Sequence, residues 1–328
     1  MKKILLVRFG GLGDLLAVAP SIQLLRRQFP ASRLILACRQ EYGKFLREIG
    51  LVEEVLRADG PQLTPLFAGP LSPDSDLETW LREFDLIVAW LQDGTDRALE
   101  RGLIAAAGPD KCRILYYRRE REGKAVIPFF FRETQRVLEK LDLSYARRPF
   151  EEFVELPIPA VCREQGLFLL KLPEESTKKL VVVHPGSGSA SKCWPLRNFL
   201  GIVGDLGRKG MGGALVTGEA EASLDRLLDK MDLPSGWARL RSPPLAALAG
   251  LLVQAAVYLG NDSGITHLAS ACGTDVVAIF RTEFAAVWRP CGRVHLLSAD
   301  SPELISRDEV MKKISELIDL GNRPPNEK

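Results

Sequence analysis

The chain has 328 residues, of which 46% are hydrophobic and 26% charged, and this length suffices for two domains that each bury a core. Its 44 Lys and Arg residues nearly balance its 42 Asp and Glu residues, so the charge gives no reason to expect a nucleic-acid partner. No apolar run reaches the roughly 20 residues that span a bilayer, and the six cysteines lack metal-type spacing. We therefore expect a cytoplasmic globular protein with reduced thiols.

The first half of the chain alternates short apolar runs with amphipathic segments. A first strand, rather than a signal peptide, is predicted from Lys3 to Phe9, followed by a helix from Leu15 to Phe29 that Pro20 kinks. Further strands are predicted at RLILAC, around Val55, at FDLIVAW and at RILYY, and further helices over 96–107 and 129–141. This alternation indicates parallel strands joined by helices.

A Pro-rich stretch from Arg148 to Lys179 is interpreted as a linker between domains. A second alternating unit follows, with strands predicted at KLVVVHPG, GALVTG, near Arg239, and at AAVYLG, VVAIF and VHLLS. The last helix begins with a capping box, Ser306 and Glu309. The predicted fold class is α/β, with two halves facing a cleft and ligands at the carboxyl ends of the strands.

The first candidate loop, GGLGD, follows the first strand. Its glycines Gly10, Gly11 and Gly13 allow unusual backbone angles, and Asp14 stands where a side chain points toward a ligand. The loop lacks the third glycine of the dinucleotide fingerprint, because Leu16 occupies that position. An alternative role for Asp14 is to cap its own helix.

The second candidate loop runs from His184 to Pro195 and comes close to a Walker A sequence. Gly186 and Lys192 match that sequence, but Ser191 and Cys193 do not, so a P-loop nucleotidase is not expected. A Gly/Ser turn with one lysine still suits a phosphate oxygen. The alternative is an exposed lysine in a mobile loop.

The third candidate loop lies in YLGNDSGITHLASACG, which predicts a strand, a tight turn and a helix. The free N–H groups of the helix start predict an anion site around Asp262, Ser263 and Gly264. The alternative is a simple helix cap. Ser263 and His267 lie four residues apart, as in a nucleophilic site, but GxSxG is absent, and His267 is expected to contact a phosphate or a local carbonyl.

Together these three loops resemble the signatures of glycosyltransferase family 9, the ADP-heptose:lipopolysaccharide heptosyltransferases and their relatives. The resemblance rests on RFGGLGDLLAVAPSIQLLRRQFP, HPGSGSASKCWP and GNDSGITHLASACGTDVVAIF. It implies a GT-B architecture, in which two Rossmann-like domains face a central cleft. Residues 1–165 would then bind the acceptor and residues 175–328 the nucleotide sugar, while the last helix, about 306–320, packs back on the N-terminal domain.

The resemblance also implies roles for individual residues. Asp14 would be the general base of an inverting transfer, beside the glycine turn of Gly10, Gly11 and Gly13. The donor phosphates would bind Lys192, Ser187 and Gly188 and the turn formed by Ser263, Gly264 and His267, and Asp262 would lie near the sugar hydroxyls. Glu219 or Glu221 would accept from ribose, with no basis for choosing between them. No metal ion or cofactor is expected beyond the ADP-linked donor.

The implied acceptor is a lipopolysaccharide core or related glycan, which requires peripheral contact with the inner membrane face. The basic set Arg113, Arg118, Arg119, Arg121 and Lys124 would face such an acceptor or form a solvated surface. The Gly-Pro-Thr turn usual in the family is replaced here by Arg281, Thr282 and Glu283. This difference leaves open whether the donor is ADP-heptose. The alternatives are a GT-B transferase using another nucleotide sugar, a GT-B-like nucleotide-sugar epimerase, and a non-catalytic nucleotide-sugar-binding subunit.

Overall fold

A computed structural model describes residues 2–68, 71–72, 75–92, 97–117, 125–141, 145–171 and 179–321. The chain divides into two compact units, Met1–Phe153 and Val154–Lys328. The division therefore lies earlier than the boundary predicted between residues 165 and 175. Four members of the basic set considered for the acceptor, Arg118, Arg119, Arg121 and Lys124, lie outside the described residues.

The N-terminal unit is built on a five-stranded parallel sheet in the order β3-β2-β1-β4-β5. Its strands are β1 (Lys3–Val7), β2 (Arg33–Cys38), β3 (Glu54–Arg57), β4 (Leu86–Gln92) and β5 (Cys112–Tyr117). Its helices are α1 (Leu12–Leu16), α2 (Ala19–Gln28), α3 (Gln40–Glu48), α4 (Pro65–Ala68), α5 (Asp76–Arg82), α6 (Arg97–Ala107) and α7 (Val126–Lys140).

The register of the central strands positions the first candidate loop. Val7 at the end of β1 pairs with Ala37 of β2 and with Ala89 of β4. The strands β1 and β4 are almost wholly buried, as expected when helices cover both faces of a parallel sheet. The residue after β1 and the last residues of β4 therefore lie side by side at the carboxyl edge of the sheet.

The helix predicted from Leu15 to Phe29 is in fact two helices, α1 and α2. Pro20 is near the start of α2, where its missing N–H costs no intrahelical hydrogen bond. The proline therefore begins a new helix rather than kinking a continuous one.

The C-terminal unit is built on a six-stranded parallel sheet in the order β11-β10-β9-β6-β7-β8. Its strands are β6 (Val181–His184), β7 (Gly213–Thr217), β8 (Trp237–Arg241), β9 (Val257–Asn261), β10 (Val276–Arg281) and β11 (Val294–Ala299). Its helices are α8 (Ala160–Leu170), α9 (Leu196–Arg208), α10 (Ala222–Leu228), α11 (Leu245–Gln254), α12 (Gly264–Ala271), α13 (Thr282–Trp288) and α14 (Arg307–Gly321).

The stretch interpreted as a linker contains helix α8, which packs closely against α11. Both helices carry a glycine at the contact. A Cβ on Gly250 would lie 1.7 Å from the carbonyl oxygen of Cys162, and one on Gly166 would lie 2.2 Å from the backbone nitrogen of Leu251. The prolines that suggested a linker therefore flank a helix that belongs to the C-terminal unit.

The last helix, α14, was expected to pack back on the N-terminal domain. Its apolar residues Val310, Ile314, Leu317 and Ile318 lie in the core of the C-terminal unit, which also contains Val183 of β6, and its packing on the N-terminal domain stays a prediction. None of the helices in the described ranges is long and apolar enough to cross a membrane.

Candidate functional site

The GGLGD turn places Asp14 at the carboxyl end of β1. Gly10 has φ +112°, and a Cβ there would lie 2.4 Å from Asp14 Oδ2, so only glycine fits. Gly11 is the N-cap of α1, and its N–H donates to Asp14 Oδ2 at 2.9 Å. Gly13 accepts the N–H of Ala17 through its carbonyl. Asp14 is thus the third residue of α1 and not its N-cap, although its side chain accepts the N-cap N–H and so shares in capping the helix.

A buried arginine donates hydrogen bonds to Asp14 and fixes the position of its carboxylate. Arg8 is 2% exposed, and its Nη2 donates to Asp14 Oδ1 at 2.8 Å. Its Nε donates to the Asp14 carbonyl oxygen and its Nη1 to that of Trp90, both at 3.0 Å. Burial lowers the pKa of Arg8, and the Asp14 charge opposes that shift. The sequence analysis did not single out Arg8.

Neighbouring elements complete this network. Gln92, the last residue of β4, donates from Nε2 to Asp14 Oδ1 at 3.2 Å. The Arg8 guanidinium lies 5.3 Å from the centre of the Phe130 ring on α7. Oδ1 thus accepts from two side chains and Oδ2 from one backbone N–H, while 26% of the Asp14 side chain remains exposed. Oδ2 is therefore the carboxylate oxygen with room for a further donor.

In the C-terminal unit, the loops after β6 and β9 meet as the sequence predicted. Lys192 Nζ lies 2.8 Å from Asp262 Oδ2 and 4.5 Å from the centre of the Phe284 ring. Ser187 Oγ donates to the Asp262 carbonyl oxygen at 2.6 Å. A Cβ on Gly188 would have no heavy atom within 4 Å, so the loop is open there. Lys192 is therefore held in place, not loose in a mobile loop.

Asn261, to which the sequence analysis gave no role, fastens these two loops together. It is fully buried, its Oδ1 accepts the N–H of Trp194 at 2.9 Å, and its Nδ2 donates to the Pro185 carbonyl oxygen at 2.8 Å. The end of β9 thus fixes both ends of the lysine loop.

The turn after β9 caps helix α12. Ser263 is the N-cap, and its Oγ accepts the N–H of Thr266 at 3.3 Å. Gly264 is the first residue of the helix, and His267, 5% exposed, lies in its first turn. The capping role considered from the sequence is thus present, and the remaining N–H groups of the helix start still favour an anion.

Next to Ser263 lies a buried histidine, which in turn faces a partly buried carboxylate. Ser263 Oγ is 3.3 Å from His184 Nδ1, and His184 Nε2 is 3.7 Å from Glu221 Oε2, which accepts the N–H of Gly218 at 2.7 Å. Burial raises the pKa of Glu221, but contact with His184 and the Gly218 N–H outweigh burial and hold that pKa below its usual value. Glu219 is exposed, so the two residues considered for ribose binding, Glu219 and Glu221, differ in their exposure to solvent.

The segment that departs from the family pattern begins a helix. Arg281 Nη2 lies 2.9 Å from Glu283 Oε1, and its Nε donates to the Asp300 carbonyl oxygen at 3.2 Å. Helix α13 starts at Thr282 and carries Phe284, the ring beside Lys192. The described residues contain no group of three or more His, Cys, Asp or Glu side chains that could hold a metal ion.

The model of glycosyltransferase family 9 (heptosyltransferase) matches residues 144–311, slightly more than half of the chain. The chain belongs to this family. The matched region contains the lysine loop, the turn after β9 and the Arg281–Glu283 segment.

Known proteins and structures agree with this membership. Lipopolysaccharide heptosyltransferase 3 of Escherichia coli is 26% identical over 140 residues, and this alignment spans 39% of each chain. A glycosyl transferase family 9 structure from Veillonella parvula has TM-score 0.76 and 16% identity, covering 97% of this chain and 98% of that chain. E. coli ADP-heptose lps heptosyltransferase II has TM-score 0.72 and 15% identity, covering 98% and 100%. The predicted fold class, two parallel-sheet α/β domains of the GT-B type, is confirmed.

Proposed function

We propose that this chain is a glycosyltransferase that moves a heptose from ADP-heptose to a lipopolysaccharide inner-core or related glycan acceptor. The observation that carries the proposal is the convergence of Lys192, Ser263 and the start of α12 at the carboxyl edge of the sheet. These groups lie in the region that the family model matches, and relatives are named for heptosyl transfer.

Donor binding exchanges the partner of Lys192. An ammonium, the backbone N–H groups of a helix start and a serine hydroxyl together stabilise a diphosphate. When Lys192 turns from Asp262 to a phosphate oxygen, the Asp262 carboxylate is free to accept from sugar hydroxyls. The same donors stabilise the charge that develops on the departing ADP.

Acceptor activation requires a base in the N-terminal unit, and Asp14 is that base. Its Oδ2 accepts the proton of the acceptor hydroxyl as the oxygen forms a bond to the anomeric carbon. The bond from that carbon to the diphosphate breaks on the opposite face, which inverts the configuration. Arg8 and Gln92 keep Oδ1 engaged and so fix the direction of Oδ2.

The proposal includes a reaction that needs no metal ion, because Lys192 and the helix start supply the positive charge. We further propose that the protein is cytoplasmic and contacts the inner membrane face as a peripheral protein, because a lipid-borne acceptor is found there. Addition of EDTA is expected to leave transfer unchanged, and loss of activity that Mg²⁺ restores would contradict this.

Two substitutions test the roles separately. Asp14→Asn is expected to lower turnover by about 10²-fold or more while ADP affinity stays unchanged. Lys192→Ala is expected to weaken ADP binding in calorimetry, because a charge-assisted contact is lost. Lys230→Ala, at an exposed position after α10, is the matched control. Normal turnover in Asp14→Asn would show that Asp14 is not the base, whereas donor binding by wild type without any transfer would indicate a non-catalytic binding subunit.

The nucleotide itself is tested by melting the protein with ADP, UDP, GDP or CMP. A ligand at 100 times its dissociation constant stabilises the folded state by about 2.7 kcal/mol. ADP is expected to give the largest shift. A larger shift with UDP or GDP would retain the transferase and change the donor, with Arg281 and Phe284 as the residues to exchange next.

A further inference from the structure

The proposed function uses Ser263 but leaves unexplained the buried His184 beside it and the partly buried Glu221. His184 is 3% exposed, and its two ring nitrogens face Ser263 Oγ at 3.3 Å and Glu221 Oε2 at 3.7 Å. A histidine held between a hydroxyl and a carboxylate controls where protons reside in both contacts.

The ionised Glu221 determines the form of a neutral His184. A carboxylate can only accept, so Glu221 Oε2, 3.7 Å from Nε2, favours an imidazole proton on Nε2 and leaves Nδ1 as an acceptor. Nδ1 then competes for the single hydroxyl proton of Ser263. Thr266 Oγ1, 3.1 Å from Ser263 Oγ, is a second group within the protein that can accept this proton.

A phosphate requires the opposite arrangement. Phosphate oxygens accept hydrogen bonds, so the Ser263 hydroxyl must turn its proton outward. When His184 carries two protons, Nδ1–H donates to Ser263 Oγ and the N–H of Thr266 donates to the same oxygen. Both lone pairs are then occupied, and the hydroxyl proton is available to the ligand.

We propose that His184 takes up a proton when a nucleoside diphosphate binds at the start of α12, with Glu221 as the counter-charge. This inference rests on the proposed function, since it concerns the same donor site. His184 acts through Ser263 and is a positioning residue rather than a catalytic one. Donor affinity therefore falls as the pH rises.

A thiol and a phenol near the pair keep their protons at neutral pH. Burial, together with the charge of Glu221, raises the pKa of the Cys193 thiol and of the Tyr258 hydroxyl. The remaining charged groups at this edge are Lys192 and Asp262, which pair with each other. His184 is the histidine whose ring faces the Ser263 hydroxyl. His267, in the first turn of α12, is a second histidine near the ligand, and it is unchanged when wild type is compared with a His184 variant.

The experiment is calorimetry of ADP binding at constant pH in buffers of different ionisation enthalpy. The dependence of the observed enthalpy on the buffer gives the number of protons taken up. ADP exchanges a proton at its own terminal phosphate near neutral pH, and this contribution is the same for every variant. The difference between variants therefore reports the protein alone.

His184→Asn is the test variant, because its amide can still donate to Ser263 but does not titrate. Wild type is expected to take up more protons than His184→Asn, by a difference of up to one. As the pH rises, the dissociation constant of wild type for ADP should increase more steeply than that of His184→Asn, by up to tenfold per pH unit. His295→Asn on β11 is the matched control and should behave as wild type.

Equal proton uptake in wild type and His184→Asn would overturn the inference. If ADP still bound in a Lys192-dependent way, the proposed function would stand. Absence of ADP binding by wild type would overturn both the donor assignment and this inference.

Discussion

The ion pair between Arg8 and Asp14 is the residue-scale feature that the sequence did not disclose. An arginine before a glycine turn is ordinarily an exposed side chain, because Arg is rarely buried without a partner. The partner becomes visible only when β1 and β4 lie side by side and the Trp90 carbonyl oxygen approaches Nη1. Asp14 was predicted from its motif, whereas the group that fixes its direction depends on tertiary packing.

Arg8→Lys is expected to lower kcat by about tenfold or more and to leave the KM for the donor unchanged. A lysine ammonium cannot make the three separated contacts of the guanidinium, so the carboxylate loses its fixed direction. Steady-state kinetics with ADP-heptose measure both constants. Arg33→Lys, in an exposed ion pair with Glu54 on β3, is the control and should match wild type.

Asp262→Asn is expected to tighten ADP binding while lowering transfer. The carboxylate competes with the phosphates for Lys192 and also repels them, and its removal relieves both effects. Calorimetry should show a dissociation constant that is several-fold lower, whereas Asp275→Asn, beside Arg293, should cause no change. Weaker ADP binding in Asp262→Asn would mean that the ion pair serves to position Lys192 for the ligand.

At the scale of elements, the apolar runs predicted most strands and helices because buried parallel strands need continuous apolar sequence. The strand predicted at GALVTG is β7, and the helix predicted near Leu196 is α9. The failures occurred at prolines, and helix α13 was not predicted at the segment that departs from the family pattern. Proline composition indicated a linker where α8 lies, and the substituted turn begins α13, because packing against other elements decides these segments.

Gly250→Ala and Gly204→Ala are expected to change stability in opposite directions. Alanine favours a helix interior over glycine by up to about 1 kcal/mol, and both residues lie within helices, α11 and α9. At Gly250 the new Cβ would collide with the backbone of α8, whereas at Gly204 its nearest neighbour is the flexible end of Arg208 at 3.5 Å.

We therefore expect Gly250→Ala to destabilise the protein by about 1–3 kcal/mol or more and Gly204→Ala to stabilise it slightly. Thermal and urea unfolding measure both effects. Equal stability of the two variants would show that α8 is not packed against α11 in solution.

At the scale of the whole molecule, each unit has a hydrophobic core of its own. One contains Leu5, Ile87 and Leu103, and the other contains Val183, Phe199 and Ile314. The sequence predicted this two-domain content from its alternating pattern, but it placed the boundary between residues 165 and 175, where α8 ends. The residues proposed to bind the donor all lie in the C-terminal unit, and the proposed base lies in the N-terminal one.

ADP is expected to slow amide hydrogen exchange in the C-terminal unit, most strongly in peptides that contain Lys192 and Ser263. Ligand binding suppresses the local opening that exposes these amides. Exchange measured by mass spectrometry with and without ADP tests this, and peptides of β2 and α3 serve as internal controls. Protection concentrated in the GGLGD turn would place the nucleotide on the other unit.

The buried charge of Arg8 also has an evolutionary consequence. Removing one member of a buried ion pair costs about 3–5 kcal/mol, because the other charge is left without a partner. A descendant of this chain that lost Asp14, and with it the proposed activity, would have a less stable fold until Arg8 changed as well. We therefore expect the two positions to change together, so that an uncharged residue at position 8 marks a copy that has ceased to be an enzyme.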